Sequence, residues 1–219
     1  MLQIHTVVSD PFAENSYVLW HEGRGEAIVV DPGFEPDLIL DFLSENELKL
    51  AAIVNTHGHV DHMAGNAEMK RAFPDAPILI GARDAIMLTD AVVNMSANYG
   101  MPVVSPPADR LLKEGEHLSL AGIALEVFDI PGHSPGHIVY LIRETKPFTV
   151  IGGDVLFRGS VGRTDFPGGS FETLKANIER VLWPLPPDAV VYPGHGPVTT
   201  VGYEKETNPW VGSGSTRNQ

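Results

Sequence analysis

The sequence predicts an α/β fold, and three observations lead to this prediction. The chain has 219 residues, which suits one domain with one core, because larger chains tend to split beyond about 250 residues. Hydrophobic residues make up 43% of the chain and charged residues 20%, the ordinary composition of a globular protein. Short β-branched segments alternate with helical patterns in each half, so two similar halves are expected.

The first half alternates strands with helices. β-branched and aromatic residues cluster between turn signals, which predicts strands at residues 3–8, 16–20, 27–30, 51–54 and 77–80. Helices are predicted from Pro36, where apolar side chains follow at helical spacing, and over residues 64–73 and 82–88. A strand-helix-strand order of this kind begins an α/β layer.

Residues 91–108 carry no predicted element. They contain Asn, Ser, Gly and three prolines, which is too irregular a composition for a strand or helix. A long irregular segment in a compact domain is often functional. We therefore expect a lid or a pocket wall here.

The second half is also predicted to contain short strands and a helix. Strands are predicted at residues 117–121, 123–130, 138–142, 149–152 and 189–192. A helix is predicted after Ser170, a good N-cap, because Leu174, Ile178 and Val181 then share one face. We expect one domain over residues 1–211. Residues 212–219 lack apolar side chains and predict a flexible tail, which could be an expression remnant.

Composition excludes several classes of function. With 15 basic and 28 acidic residues the net charge is −13, which disfavours a nucleic-acid surface, because phosphate binding depends on clustered Lys and Arg. Neither a signal peptide nor an apolar segment of about 20 residues is found, so no membrane contact and a cytoplasmic location are expected. The chain has no cysteine, so any metal must bind His and carboxylates.

The strongest functional signal is the segment 56–62, Thr-His-Gly-His-Val-Asp-His, directly after a predicted buried strand. The spacing is not helical, so a loop is expected. On a loop, His57 and His59 can face one ion while Asp61 and His62 turn toward a second. An internal position between a strand and a helix argues against an expression tag or a surface metal trap.

Three further candidate ligands follow later strands. They are His133 in Pro-Gly-His-Ser-Pro-Gly-His, Asp154 in Gly-Gly-Asp, and His195 in Pro-Gly-His-Gly. Strand ends converge at one edge of a sheet, and Gly- and Pro-containing loops on a rigid scaffold present ligands well. A metal site at that edge is therefore predicted.

These residues, in this order, resemble the metallo-β-lactamase superfamily, whose pattern is His-x-His-x-Asp-His, then a His, an Asp and a final His. The resemblance implies a four-layer αβ/βα sandwich with metals at one edge of its two sheets. It also implies that the first metal is bound by His57, His59 and His133, the second by Asp61, His62 and His195, and both by a bridging Asp154.

Two residues are expected to support this site. Asp31 matches the family's early Asp-x-Gly turn and would support the metal loop, the alternative being an ordinary turn residue. His137 ends a Ser-Pro-Gly-His sequence that resembles the family element holding the loop of His133. A structural or supporting role is therefore expected for His137. His5, His21 and His117 lie outside the pattern and are expected to be ordinary surface or strand residues.

Four segments resemble the glyoxalase II group, especially its short bacterial members without a C-terminal helical domain. They are residues 31–33, 152–157, 162–165 and 192–197. The implied substrate is S-lactoylglutathione or a similar small thioester. A metal pair about 3.5–4 Å apart lowers the pKa of bound water from 15.7 to about 7. The resulting hydroxide would attack the carbonyl, and Asp61 could orient it.

The cofactors are expected to be two divalent ions, zinc first, with iron or manganese as alternatives. Longer glyoxalase II enzymes carry basic residues for glutathione in their extra domain. Here Arg158 and Arg163 could meet an anionic substrate, although we favour a structural pairing of Arg163 with Asp165.

Other functions remain as alternatives. The main one is a persulfide dioxygenase, which binds one iron through equivalents of His57, His133 and Asp154 and shares the Gly-Arg-Thr-Asp-Phe of residues 162–166. Against it, residues 193–197 read Pro-Gly-His-Gly-Pro, whereas the dioxygenases have Pro-Ala-His-Asp-Tyr. A lactonase is less favoured. So is a β-lactamase, since the commonest zinc lactamases place a Cys in the second site, and so is a metal-binding protein without turnover, since the ligand set is complete and its loop is open.

Overall fold

The structure is a computed structural model, and it describes residues 1–215. The first sheet contains β1 (Leu2–Ser9), β2 (Glu14–His21), β3 (Glu26–Val30), β4 (Lys49–Val54), β5 (Ile78–Gly81) and β6 (Arg110–Leu112). The second contains β7 (His117–Leu120), β8 (Ile123–Asp129), β9 (Ile138–Ile142), β10 (Thr149–Gly153), β13 (Val190–Pro193) and β14 (Thr199–Thr200). A separate hairpin is formed by β11 (Leu156–Phe157) and β12 (Ser160–Val161).

Within residues 1–215, six α-helices accompany these strands. They are α1 (Pro36–Glu45), α2 (Val60–Met63), α3 (Asn66–Ala72), α4 (Ala85–Thr89), α5 (Phe171–Val181) and α6 (Val201–Thr207). A short 3₁₀ helix covers Ser96–Tyr99. In the part of the chain that the structure covers, no helix has the length and apolar character needed to cross a membrane.

Both sheets are mixed. In the first, β1 to β3 pair antiparallel and β3 to β6 pair parallel. In the second, β7 to β10 pair antiparallel, while β13 pairs parallel with β10 and antiparallel with β14. Each half therefore contains the parallel strand-helix-strand connection predicted from sequence.

The two sheets pack face to face with helices outside, which confirms the predicted four-layer αβ/βα sandwich. Alternation along the strands explains the layers: Tyr17 and Leu19 join the cluster between the sheets, whereas Val18 faces α1 and α3. A third cluster lies between the second sheet and α5, through Leu174 and Ile178. Burial of both faces of each sheet explains the continuous apolar strands.

The functional segments follow strand ends at one edge of the sandwich. Parallel strands β3 and β4 end just before Asp31 and His57, and β10 and β13 end just before Asp154 and His195. The carboxyl ends of parallel strands share one edge of a sheet. Their loops therefore meet there.

Some local predictions were wrong. Residues 57–62 do not form a loop throughout, because Val60–Met63 is a helical turn. The strands β6, β11, β12 and β14 and the helix α6 were not predicted, and the helix predicted at 82–88 is only Ala85–Thr89. These elements are too short for hydrophobic periodicity to reveal them. Of the predicted tail, which stays a prediction, Gly212 hydrogen-bonds to Asn208 just after α6 and Ser213 to Lys205 of α6, and residues 216–219 lie outside the described residues.

Candidate metal centre

Three buried imidazoles form the first group of candidate ligands. Nε2 of His133 lies 2.8 Å from Nδ1 of His59 and 3.2 Å from Nε2 of His57. All three side chains are buried, and one nitrogen of each lies within 4.8 Å of the others. This arrangement offers three nitrogen ligands to one cation.

A second group lies beside the first. Nε2 of His195 is 3.3 Å from Oδ2 of Asp61, and Nε2 of His62 is 3.8 Å from the same oxygen. These three residues also offer ligand atoms within 4.8 Å of one another. His195 is the most accessible of the three, with 26% of its side chain exposed. This group therefore lies on the solvent side of the cluster.

Asp154 lies between the two groups. Its Oδ1 is 3.4 Å from Nε2 of His62, and its Oδ2 is 3.5 Å from Nε2 of His133 and 3.6 Å from Nε2 of His195. One carboxylate therefore faces residues of both groups. The structure brings together all seven residues that the sequence singled out as metal ligands.

Two glycines allow the close approach of these loops. Gly153 has φ +47°, and a Cβ there would lie 2.7 Å from Nε2 of His137. A Cβ on Gly194 would lie 2.6 Å from the His62 ring. Real Cβ atoms do not approach neighbours so closely. Glycine beside Asp154 and beside His195 is therefore needed for the loops of the candidate ligands to pack this closely.

Asp31 holds the metal loop and one candidate ligand. Its Oδ1 accepts a hydrogen bond of 2.7 Å from the backbone N–H of Thr56, and its Oδ2 accepts one of 2.6 Å from Thr56 Oγ1. Oδ2 also lies 3.1 Å from Nδ1 of His62. This contact turns Nε2 of His62 toward Asp154 and selects the ring tautomer in which Nε2 is free to bind.

His133 and His137 are oriented from the loops around them. The Nδ1–H of His133 donates to the carbonyl oxygen of Arg163 at 2.7 Å, which leaves Nε2 facing the site. Nε2 of the buried His137 accepts a hydrogen bond of 3.0 Å from the backbone N–H of Asp154. His137 therefore contacts the backbone of a candidate ligand and takes a supporting position.

Asp84 is a supporting residue that the sequence analysis missed. It is fully buried, and it accepts hydrogen bonds of 2.6 Å from Ser134 Oγ and from the backbone N–H of Gly136. A further hydrogen bond comes from the backbone of Gly58. Asp84 therefore links the loop of His57 and His59 to the loop of His133. Its position just after β5, at the same sheet edge, was the available signal.

Glu14 was also missed. Its side chain is fully buried at the start of β2, its Oε2 accepts a hydrogen bond from Ser16 Oγ, and its Oε1 lies 3.9 Å from Nδ1 of His62. Burial raises the pKa of Glu14 well above its usual value, so it is expected to be protonated. No local sequence pattern distinguishes this residue from an ordinary strand glutamate.

The electrostatics of the cluster fit a bound cation. Burial and neighbouring rings lower the pKa of His57 well below its usual value and lower that of His59 to about 3. These rings are therefore neutral, as metal ligation requires. Burial also opposes charge on His62, but Asp154 and Asp61 outweigh it and hold its pKa well above normal. Positive charge is thus favoured between the carboxylates.

Unsatisfied polar atoms point to the same place. Nε2 of His62 and Oδ1 of Asp154 are buried and have no hydrogen-bond partner among the described residues. Buried polar atoms without partners are rare and call for an explanation such as an ion. A nitrogen and carboxylate donor set without thiolates suits zinc, iron or manganese. The residues present therefore fit the divalent metals expected from the sequence.

A cavity of about 330 Å³ opens onto these residues. Its wall is largely apolar and includes four aromatic side chains, Phe12, Tyr99, Phe157 and Phe166. The rings of Phe12 and Tyr99 meet edge to face with centroids 5.3 Å apart. Because Tyr99 belongs to the irregular segment 91–108, part of that segment forms the pocket wall.

The two arginines considered for substrate binding take different positions. Arg163 lines the cavity, and its guanidinium forms two hydrogen bonds of 2.8 and 2.7 Å with the Asp165 carboxylate. Arg158 instead lies over the Tyr203 ring, 5.4 Å from its centroid, beside a different surface depression. The structure does not bring Arg158 into the cavity that holds the candidate ligands.

Comparison with known proteins agrees with this geometry. The sequence model of the Metallo-beta-lactamase superfamily matches residues 9–195. The chain is 35% identical over 217 residues to the hydroxyacylglutathione hydrolase GloC of Haemophilus influenzae, across 98% of this chain and 100% of that relative.

Solved structures of several proteins have the same fold. The BLEG-1 B3 metallo-beta-lactamase has a TM-score of 0.90 at 34% identity and covers 96% of this chain and 99% of its own. TTHA1623 in a di-iron-bound form has a TM-score of 0.82 at 37% identity, and the match covers 94% of this chain and 98% of that protein. ETHE1 from Myxococcus xanthus has a TM-score of 0.75 at 26% identity, and the match covers 95% of this chain and 84% of that protein.

Proposed function

The chain belongs to the metallo-beta-lactamase superfamily, and we propose that it is a binuclear metallohydrolase that cleaves a small thioester such as S-lactoylglutathione. The observation that carries this proposal is the position of Asp154, whose carboxylate lies beside His133 of the first group and beside His62 and His195 of the second. A carboxylate shared in this way suits two ions rather than one.

The proposed metals are two divalent ions, zinc first and iron or manganese as alternatives. The first would be held by His57, His59 and His133, the second by Asp61, His62 and His195, and both by Asp154. When bound, such a pair supplies a hydroxide nucleophile at neutral pH and polarises the substrate carbonyl. The relative solved in a di-iron-bound form keeps iron among the candidates.

We assign Asp61 the role of orienting the attacking water. Burial raises the pKa of Asp61, but His62 and His195 outweigh this effect and hold the pKa below its usual value. An ionised carboxylate at the solvent side of the cluster can accept a hydrogen bond from water and point its oxygen at the carbonyl. Asp31 and His137 would keep the surrounding ligands in place.

A thioester fits the chemistry of this cavity. The thiol that leaves has a pKa near 8.5, so it departs as a thiolate and needs no strong general acid. The apolar wall suits small acyl and alkyl groups, and Arg163 is the candidate contact for an anionic group of the substrate. The similarity to a hydroxyacylglutathione hydrolase supports this substrate class.

A mononuclear iron dioxygenase acting on a persulfide is the second candidate. The specific observation in its favour is the structural similarity to ETHE1. It would use His57, His133 and Asp154 as ligands. A second group of candidate ligands, Asp61, His62 and His195, lies beside Asp154 and favours the binuclear hydrolase instead.

The test is a substrate panel on protein whose metal content has been measured. We expect two metals per chain, and thiol release from lactoylglutathione or other acyl thioesters, with little hydrolysis of a β-lactam or a lactone. One iron per chain with oxygen consumption on glutathione persulfide would refute the thioesterase in favour of the dioxygenase. Two metals with faster turnover of the β-lactam would make the protein a lactamase, as the BLEG-1 structure is named.

A further inference from the structure

One wall of the cavity is a hairpin too small to be stable by itself. Strands β11 and β12 contain two residues each and are joined by Arg158 and Gly159, with Gly159 at φ +72°. Phe157, Ser160 and Val161 from this hairpin line the cavity. Isolated two-stranded hairpins are marginal in water, so other parts of the chain must hold this one in place.

Glu204 in the C-terminal helix α6 contacts the tip of the hairpin. Its side chain is fully buried, and its Oε2 accepts hydrogen bonds of 2.9 Å from the backbone N–H of Gly159 and 2.8 Å from Nδ2 of Asn208. Its Oε1 accepts one of 2.5 Å from Oγ1 of Thr199. Three donors therefore satisfy a buried carboxylate, and charged acceptors form the stronger hydrogen bonds.

Asn208, directly after α6, contacts the neighbouring residue of the hairpin. Its Nδ2 donates to the backbone carbonyl of Ser160 at 3.0 Å, while its Oδ1 accepts from the backbone N–H of Trp210 at 2.9 Å. Glu204 and Asn208 thus hold backbone groups of adjacent residues in the hairpin turn. Neither residue lines the cavity or belongs to the metal cluster.

We propose that Glu204 and Asn208 are positioning residues that hold the β11–β12 hairpin as a wall of the substrate cavity and thereby determine affinity for the substrate. The proposal rests on the proposed function only in taking this cavity as the substrate site.

The effect is expected in KM rather than in kcat. Asp154 precedes the hairpin, but its backbone is held separately by His137, and the Arg163 carbonyl beyond the hairpin is held by His133. Loss of the contacts from α6 therefore moves the wall while the candidate ligands stay in place. A change that weakens substrate and transition state equally raises KM and leaves kcat unchanged.

The experiment compares Glu204→Ala with Glu204→Gln and Asn208→Ala. Glutamine keeps an acceptor for Gly159 and Asn208, and its amide can donate to Thr199, so near wild-type behaviour is expected. For Glu204→Ala and Asn208→Ala we expect unchanged metal content, kcat within about twofold and KM raised about tenfold. This is the pattern expected when substrate and transition state lose the same binding free energy. Hydrogen exchange of residues 157–161 should become faster in both.

A matched control is Leu43→Ala, which leaves a cavity in the core beside α1, in the other half of the sandwich. It should lower the Tm without raising KM. The proposal is overturned if Leu43→Ala raises KM equally, if Glu204→Gln behaves like Glu204→Ala, or if hairpin exchange accelerates with KM unchanged.

Failure of the proposed function can be told apart from failure of this inference. If wild-type protein hydrolyses no thioester, the same variants are compared by calorimetric binding of the thioether S-butylglutathione. Weaker binding to Glu204→Ala than to Glu204→Gln would support the positioning role without any catalysis. Equal binding to wild type and both variants, or no measurable binding to any, would overturn it.

Discussion

At the scale of single residues, Asp154 is a carboxylate that lies beside both groups of candidate ligands. Its two oxygens face His62 on one side and His133 and His195 on the other. Removing this carboxylate takes a ligand from both groups at once.

We predict that Asp154→Ala binds neither ion stably, because each remaining group keeps only three ligands and loses the shared negative charge. The expected result is metal content near zero after dialysis, measured by elemental analysis. Asp165→Ala is the control, since Asp165 is an exposed carboxylate paired with Arg163 outside the cluster. A full pair of ions in Asp154→Ala would contradict its bridging role.

The Arg163 side chain allows a test of substrate recognition. Its pairing with Asp165 is exposed, and such ion pairs contribute about 0.2–1 kcal/mol. We predict that Arg163→Ala raises KM for S-lactoylglutathione about two- to fivefold and leaves KM for a neutral N-acetylcysteamine thioester unchanged. Steady-state kinetics on both substrates measures this. Equal increases for the two substrates would instead indicate that Arg163 acts by holding the loop through Asp165.

At the scale of elements, the ligand loops depend on contacts between segments far apart in sequence. Asp84 follows β5, yet it bonds to Ser134 and Gly136 in the loop before β9 and to the backbone of Gly58 after β4. The two loops that supply the first group of ligands are therefore joined through one carboxylate.

We predict that Asp84→Ala weakens metal binding about 10- to 100-fold, the range seen when supporting partners of metal ligands are removed. Competition with a chromophoric chelator measures the affinity. Asp109→Ala is the matched control, because Asp109 bonds to the backbone of Ile78 and to Lys70, away from the ligand loops. Equal affinity in Asp84→Ala and wild type would show that the two loops are held independently.

The elements also show the limits of prediction from local pattern. Longer strands such as β2 and β9 were predicted because β-branched and aromatic residues cluster in them. The helical turn Val60–Met63 was not, because ligand residues occupy its inner positions and hide any apolar periodicity. The N-cap of α5 at Ser170 was recognised because capping is local, and its Oγ accepts from the backbone N–H of Thr173.

At the scale of the whole molecule, the two sheets are joined by polar contacts as well as by the core. Tyr140 of β9 is fully buried, and its hydroxyl donates to the backbone carbonyl of Asn55 at 2.8 Å, across the interface and just after β4. Tyr17 of β2 similarly donates to the carbonyl of Pro193 at 2.5 Å. These bonds fix the strand ends from which the ligand loops emerge.

We predict that Tyr140→Phe lowers the free energy of unfolding by about 1–2 kcal/mol, because the buried carbonyl of Asn55 loses a donor while the packing volume is retained. Urea denaturation measures this, and an unchanged m value would show that only stability changed. Tyr203→Phe, at an exposed position, should be neutral. A neutral Tyr140→Phe would mean that apolar packing alone joins the sheets here.

The α/β class, the longer strands and the identity of the candidate ligands could be derived from the sequence alone, because periodicity, turn residues and the His-x-His-x-Asp-His spacing are local properties of the chain. The single-domain boundary at residue 211 stays a prediction. Only the tertiary structure decided that Asp84 joins two ligand loops, that Arg158 lies over Tyr203 outside the cavity, and that Glu204 contacts Gly159. These contacts depend on how the sheets and helices pack, because packing alone brings distant residues within hydrogen-bonding distance.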